Sequence, residues 1–163
     1  MRYWVVSNHG LISQVDCEKN IVIQSDDVSM ESTEMKHALC DRISACCYVN
    51  GTLFSFYNAG KSSCIRRFDP TTNTMNHFEY LSFFPRGAVY DGNNVWCCAY
   101  RSNRSSGLVM RYTDKLSVCK EVLELPFNNP SGLAWDGVNF WTIDLNKNVL
   151  CKINIDDPAK SPN

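Results

Sequence analysis

The chain has 163 residues, 44% hydrophobic and 20% charged, with a net charge of −1 at neutral pH. That is enough for a domain with a real core, and too balanced for the overall field to hold it to nucleic acid or acidic lipid. No apolar run is long enough to span a bilayer, and residues 1–9 turn polar after Val6, without the apolar centre of a secretory signal, so the expectation is a cytoplasmic protein with no membrane partner.

Helical periodicity is almost absent, and short apolar runs are cut by Asn, Asp, Gly and Pro. In chain order, strands are expected at 3–6, 11–15 and 21–23. A polar stretch at 26–39 follows, a long loop or a turn of helix. Strands are expected next at 43–48, 53–57, 64–68 and 75–80, then at 87–90, 95–100, 108–112 and 118–123, and finally at 132–135, 140–143 and 149–153. Asn50-Gly51, Asp91-Gly92 and Asp136-Gly137 supply the positive φ that two-residue hairpins need. Asp69-Pro70-Thr71-Thr72-Asn73 is a further hairpin signal.

The strands repeat. Pro85-Arg86-Gly87-Ala88-Val89-Tyr90-Asp91-Gly92-Asn93-Asn94-Val95-Trp96 is echoed by Pro130-Ser131-Gly132-Leu133-Ala134-Trp135-Asp136-Gly137-Val138-Asn139-Phe140-Trp141, 45 residues on. A strand-rich repeat of this length points to an all-β β-propeller of four-stranded antiparallel blades. The units fall at about 1–39, 40–83, 84–127 and 128–163 of a single domain. The first lacks an inner strand and the last a fourth. Trp4, Phe54, Trp96 and Trp141 share one blade position, that of a wedge between blades. A propeller must close to protect its edges. Two copies closing one larger ring, each a half-propeller, is the expected arrangement; a four-bladed monomer is the alternative.

Over 128–155, and less closely over 84–127, the pattern resembles the repeats of NHL-type and related six-bladed propellers. The residues that carry the likeness are Pro130, Gly132, Leu133, Asp136, Asp144, Lys152 and Ile153. The resemblance implies a blade, with no activity of its own; such propellers include scaffolds, ligand binders and lactonase-like hydrolases.

The nine cysteines include the adjacent pairs Cys46-Cys47 and Cys97-Cys98 inside expected strands. Neighbours in a strand face opposite sides, and no Cys-x-x-Cys or His-x-x-x-His spacing occurs. They are expected as reduced core thiols.

Sorting charges by loop makes the chain two-sided. His9, Lys36, His37, Lys61, Arg86, Arg101, Arg104 and Lys147 fall on the side of the loops joining strands two to three and four to one, against Asp144 and Asp41. Asp16, Glu18, Asp69, Asp91, Asp114, Asp136, Asp156 and Asp157, with Lys19 and Lys115, fall opposite. Tight turns favour Asp anyway; no such preference explains the basic loops. The loop at 101–107 has two arginines among small polar residues, suited to gripping phosphate or carboxylate. The candidate ligand-binding residues are Arg101, Asn103, Arg104, Arg86, Lys61, His9, Lys147 and Asn128. The expected function is a non-enzymatic binding module, without cofactor, for an anionic, nucleotide-like small molecule or an acidic protein surface. Duplex nucleic acid is not an expected partner, since no recognition helix or basic stripe occurs. The alternative is a metal-dependent lactonase or esterase using Asp144, Asn128 and Asn58, although no repeated acidic ligand supports it.

Overall fold

The computed structural model describes residues 2–6, 11–16, 18–19, 21–27, 42–59, 62–72, 74–101, 103, 105–113 and 119–155. Fourteen strands occur among them, and all are antiparallel to their neighbours where their pairing is defined. The chain divides into two compact units, Met1–Pro85 and Arg86–Asn163. In the first, β1 (Arg2–Val6), β2 (Leu11–Asp16) and β3 (Ile21–Asp27) form a three-stranded sheet. β4 (Arg42–Val49), β5 (Thr52–Ala59), β6 (Ser62–Asp69) and β7 (Thr74–Leu81) form a four-stranded one.

In the second unit, β8 (Phe83–Tyr90, whose first residues belong to the first unit), β9 (Asn94–Arg101), β10 (Gly107–Thr113) and β11 (Cys119–Leu125) form a four-stranded sheet. β12 (Pro130–Trp135), β13 (Phe140–Asp144) and β14 (Val149–Ile153) form a three-stranded sheet. Each expected strand is present. The expected loop at 26–39 lies outside the described residues, except for Asp26 and Asp27, which end β3. No helix of the described residues is long and apolar enough to cross a membrane.

The inner strands begin earlier than expected. β8 takes in Phe83, Phe84 and Pro85, all buried, and β12 starts at Pro130. Both strands are sheet edges, where the missing proline N–H costs little or no ladder bond. Ser63 Oγ donates to the Phe83 carbonyl and Asn58 Nδ2 to that of Pro85 at 3.0 Å.

The Asp-Gly turns also differ from the expectation. Asn50-Gly51 is a true two-residue loop, with φ of 47° and 89° and Val49 paired to Thr52. The Asp91 and Asp136 loops are longer, because their carboxylates close them. Asp91 Oδ1 accepts from the amides of Asn93 and Asn94, both at 2.7 Å, and Asp136 Oδ1 from those of Val138 (2.8 Å) and Asn139 (2.6 Å). The second oxygen of each takes the indole N–H five residues on, Trp96 at 2.5 Å and Trp141 at 2.7 Å. Asp69 and Asp16 cap their own turns in the same way. Much of the acidic side is therefore turn closure.

The central strands are buried on both faces: Leu53 to Tyr57 on β5 and Val95 to Ala99 on β9. In the second unit, Trp96 meets Phe140 at a centroid distance of 4.7 Å, and Phe140 meets Trp135 at 4.4 Å. Val109, Leu125 and Ile153 complete this core. Trp96 is thus the inter-sheet wedge its repeat position foretold. The described cysteines Cys46, Cys47, Cys64, Cys97, Cys98 and Cys151 are all free thiols. Burial raises the pKa of Cys46 and, more strongly, of Cys47, and pushes that of Cys98 up to about 12.

Candidate functional site

Three loops of the second unit meet at one end of its sheets, and backbone hydrogen bonds fix them. Gly107 N–H donates to the Phe127 carbonyl at 2.8 Å, tying the start of β10 to the β11–β12 loop. Leu145 N–H donates to the Asn129 carbonyl at 3.0 Å, tying the β13–β14 loop to the same segment. Gly107 has to be glycine here, because a Cβ would meet the Phe127 oxygen at 2.6 Å.

These ties align three side-chain amides. Asn146 Nδ2 donates to Asn128 Oδ1 at 2.7 Å, and Asn129 Nδ2 donates to Asn146 Oδ1 at 3.2 Å. The Asn146 backbone amide is held by Asp144 Oδ1 at 3.0 Å. Asp144 is itself buried, so one carboxylate orients the loop that carries the amide chain.

Two recesses share Asn128 and Asn146. The first, of about 270 Å³, is lined by Arg86 on β8, Tyr100 on β9, Asn128, Asn129 and Asn146. The second, of about 460 Å³, includes Ser105, Ser106, Glu124, Phe127, Asp144 and Lys147 in its wall. Ser106 is 6% exposed, and its Oγ has no hydrogen-bond partner among the described residues.

Of the sequence candidates, Arg86, Asn128 and Lys147 therefore line this adjoining pair of recesses. Arg101 and Asn103 line neither. The Arg101 amide closes the β9–β10 loop on the Ser106 carbonyl at 3.3 Å, and Asn103 Oδ1 accepts from the Ser105 amide and hydroxyl at 3.0 and 2.8 Å. His9, Lys61 and Arg104 lie outside the described residues. Tyr100, Asn129, Asn146 and Ser106 are additions to the committed set. The adjacent Asn128-Asn129 was a signal for the amide chain, whereas Tyr100 sits at a regular strand position and gave none. Among the described residues no three His, Cys, Asp or Glu side chains gather as metal ligands do. Asn58 belongs to the first unit.

No protein-family model and no curated protein matches this chain. Solved structures do. Hydrazine synthase of Kuenenia stuttgartiensis matches with a TM-score of 0.65 and 14% identity, over 94% of this chain and 49% of its own. Sqt1 of Saccharomyces cerevisiae matches at 0.57 and 14%, over 96% and 42%. The β-propeller domain of Cps50 (Swd1) from Myceliophteria thermophila matches at 0.55 and 11%, over 91% and 48%. The fold is that of a β-propeller. This chain spans about half the length of the propeller chains it matches, and at these identities the likeness concerns the fold alone.

Proposed function

We propose that this propeller chain is a non-enzymatic binding module whose paired recess holds an anionic small molecule, nucleotide-like in combining acid groups with a flat ring. The observation that carries this reading is the convergence of Arg86 with the linked amides of Asn128, Asn129 and Asn146 around one recess, with Lys147 in the adjoining one. Guanidinium and amide N–H groups donate to phosphate or carboxylate oxygens, Arg in a bidentate fork. Tyr100 offers an aromatic side chain for a ring. The combined space suits a small ligand, since such pockets begin at about 300 Å³. A small molecule fits better than an acidic protein surface because the donors line a concavity. The free, buried thiols accord with a reducing, cytoplasmic setting.

The test is titration calorimetry with inorganic pyrophosphate, citrate, AMP and ATP at two salt concentrations. At least one should bind, more weakly in high salt. Arg86→Ala should weaken it by roughly 10-fold or more, the worth of a charge-assisted contact. Binding of all four anions unchanged in Arg86→Ala with Lys147→Ala, or adenosine bound as tightly as AMP, would refute the reading.

A further inference from the structure

The two repeats of the second unit can be compared position by position. The face that β9 and β10 turn toward the next sheet carries Trp96, Cys98, Val109 and Arg111, with Trp96 paired to Arg111 and Cys98 to Val109. The matching face of β13 and β14 carries Trp141, Ile143, Leu150 and Lys152, with Trp141 paired to Lys152 and Ile143 to Leu150. The pattern is kept to the basic residue beside the tryptophan: Arg111 lies 5.8 Å over the Trp96 ring. What changes is cover. Phe140 of the following sheet lies on Trp96, and Cys98 and Val109 are 0% exposed. Their counterparts Ile143 and Leu150 are 41% and 62% exposed. An exposed leucine alone says little. An apolar cluster at positions whose repeat equivalents are fully buried by a neighbouring sheet is a stacking face without its neighbour.

We propose that this face of the β12–β14 sheet docks a second copy of the chain, through the leading face of the partner's β1–β3 sheet. That sheet supplies a complementary surface. Val15 and Val22 pair across β2 and β3, in the row that corresponds to Phe140 and Ile153 in the last repeat, and Val22 is 61% exposed. Phe140 and Ile153 belong to the row that packs onto the preceding sheet in the second unit. One trailing and one leading face per chain, on a chain spanning 49% and 48% of the propellers it matches, suit two copies closing one ring about a two-fold axis. The interface is independent of the recess and of what the recess holds.

Sedimentation analysis of the chain should return twice its 18.6 kDa mass. Ile143→Glu with Leu150→Glu should raise the dimer Kd by roughly 100-fold, as loss of apolar anchors at an interface centre does, and Val22→Glu should weaken it too. Thermal unfolding of the variants reports that each still folds. Mixing the two variants is decisive. A head-to-tail pairing leaves one intact interface in the mixed pair and restores a dimer, whereas tail-to-tail pairing does not. Monomeric wild type, a dimer indifferent to both variants, or failure of the mixture to recover would overturn the proposal.

Discussion

Gly87→Ala is the sharpest test of how the second unit is packed. A Cβ on Gly87 would lie 2.4 Å from the Gly132 carbonyl carbon and the Leu133 nitrogen, and 2.7 Å from the Gly132 Cα. All three are backbone atoms, so no rotamer change relieves the clash, and β12 has to retreat by about an ångström to reach ordinary contact. The retreat pulls on a bonded carbonyl: Gly132 O accepts from Thr142 Oγ1 at 2.6 Å and from Cys98 Sγ at 3.3 Å. Overpacking costs about 1–3 kcal/mol where neighbours can yield, and backbone on both sides places this substitution at about 3 kcal/mol. For a chain of this length that lowers Tm by roughly 6–12 °C. Thermal unfolding followed by tryptophan emission measures it. Gly92→Ala is the control: its φ is +100° and nothing lies within 4 Å, so only backbone strain of about 1–2 kcal/mol is at stake. A Gly87→Ala variant as stable as Gly92→Ala would refute the close β8–β12 approach.

Cys98 should resist iodoacetamide at pH 8 until the chain unfolds, because burial keeps its thiol neutral up to about pH 12. The unfolded thiol ionises near pH 9, so stability falls as pH rises from about 9 toward 12; native labelling of Cys98 at the rate of a free thiol would contradict this. Asp136 is held well below the usual carboxylate range by the Trp141 indole and then by the Asn139 and Val138 amides. Its contribution is present above the ordinary carboxylate pKa and is lost as pH falls below about 4. Urea midpoints from pH 6 to pH 2 should therefore decline more steeply for wild type than for Asp136→Asn, and parallel curves would count against the bond.

The strands were legible because each repeat carries its own hydrophobic run and its own turn chemistry, and the 45-residue echo set the register. The wedge role of Trp96 was legible for the same reason. What the sequence hid was contextual. Pro85 and Pro130 read as loop residues because nothing local says that their strands are edges. Asp91 and Asp136 read as two-residue turns, yet the indoles five residues on draw their carboxylates into longer loops. In the recess, Arg86, Asn128 and Lys147 stood out as polar groups in loops or at strand starts. The Asn146–Asn128 contact joins residues 18 apart, through a loop whose position depends on the Leu145–Asn129 backbone bond, and such non-local pairing leaves no short-range trace. Asn103 shows the converse: the Asn-x-Ser spacing that looked like ligand-gripping chemistry accounts for a local turn.

Turn closure also bears on how the proposed site would choose its ligand. At the far end of the sheets, Asp91 and Asp136 spend their oxygens on their own amides and indoles, so those acids are committed to structure. At the recess end, Lys147 shares its wall with Glu124 and Asp144, which nearly cancels the charge there. An anion then gains little from net potential in the larger recess and depends on directed donors in the smaller one, Arg86 and the asparagine amides. Directed donors discriminate by geometry, since a ligand oxygen that misses them leaves desolvated N–H groups unpaired. On this reading the selectivity of the site resides in the β11–β12 and β13–β14 loops, whose positions Asp144 and the Leu145–Asn129 bond fix.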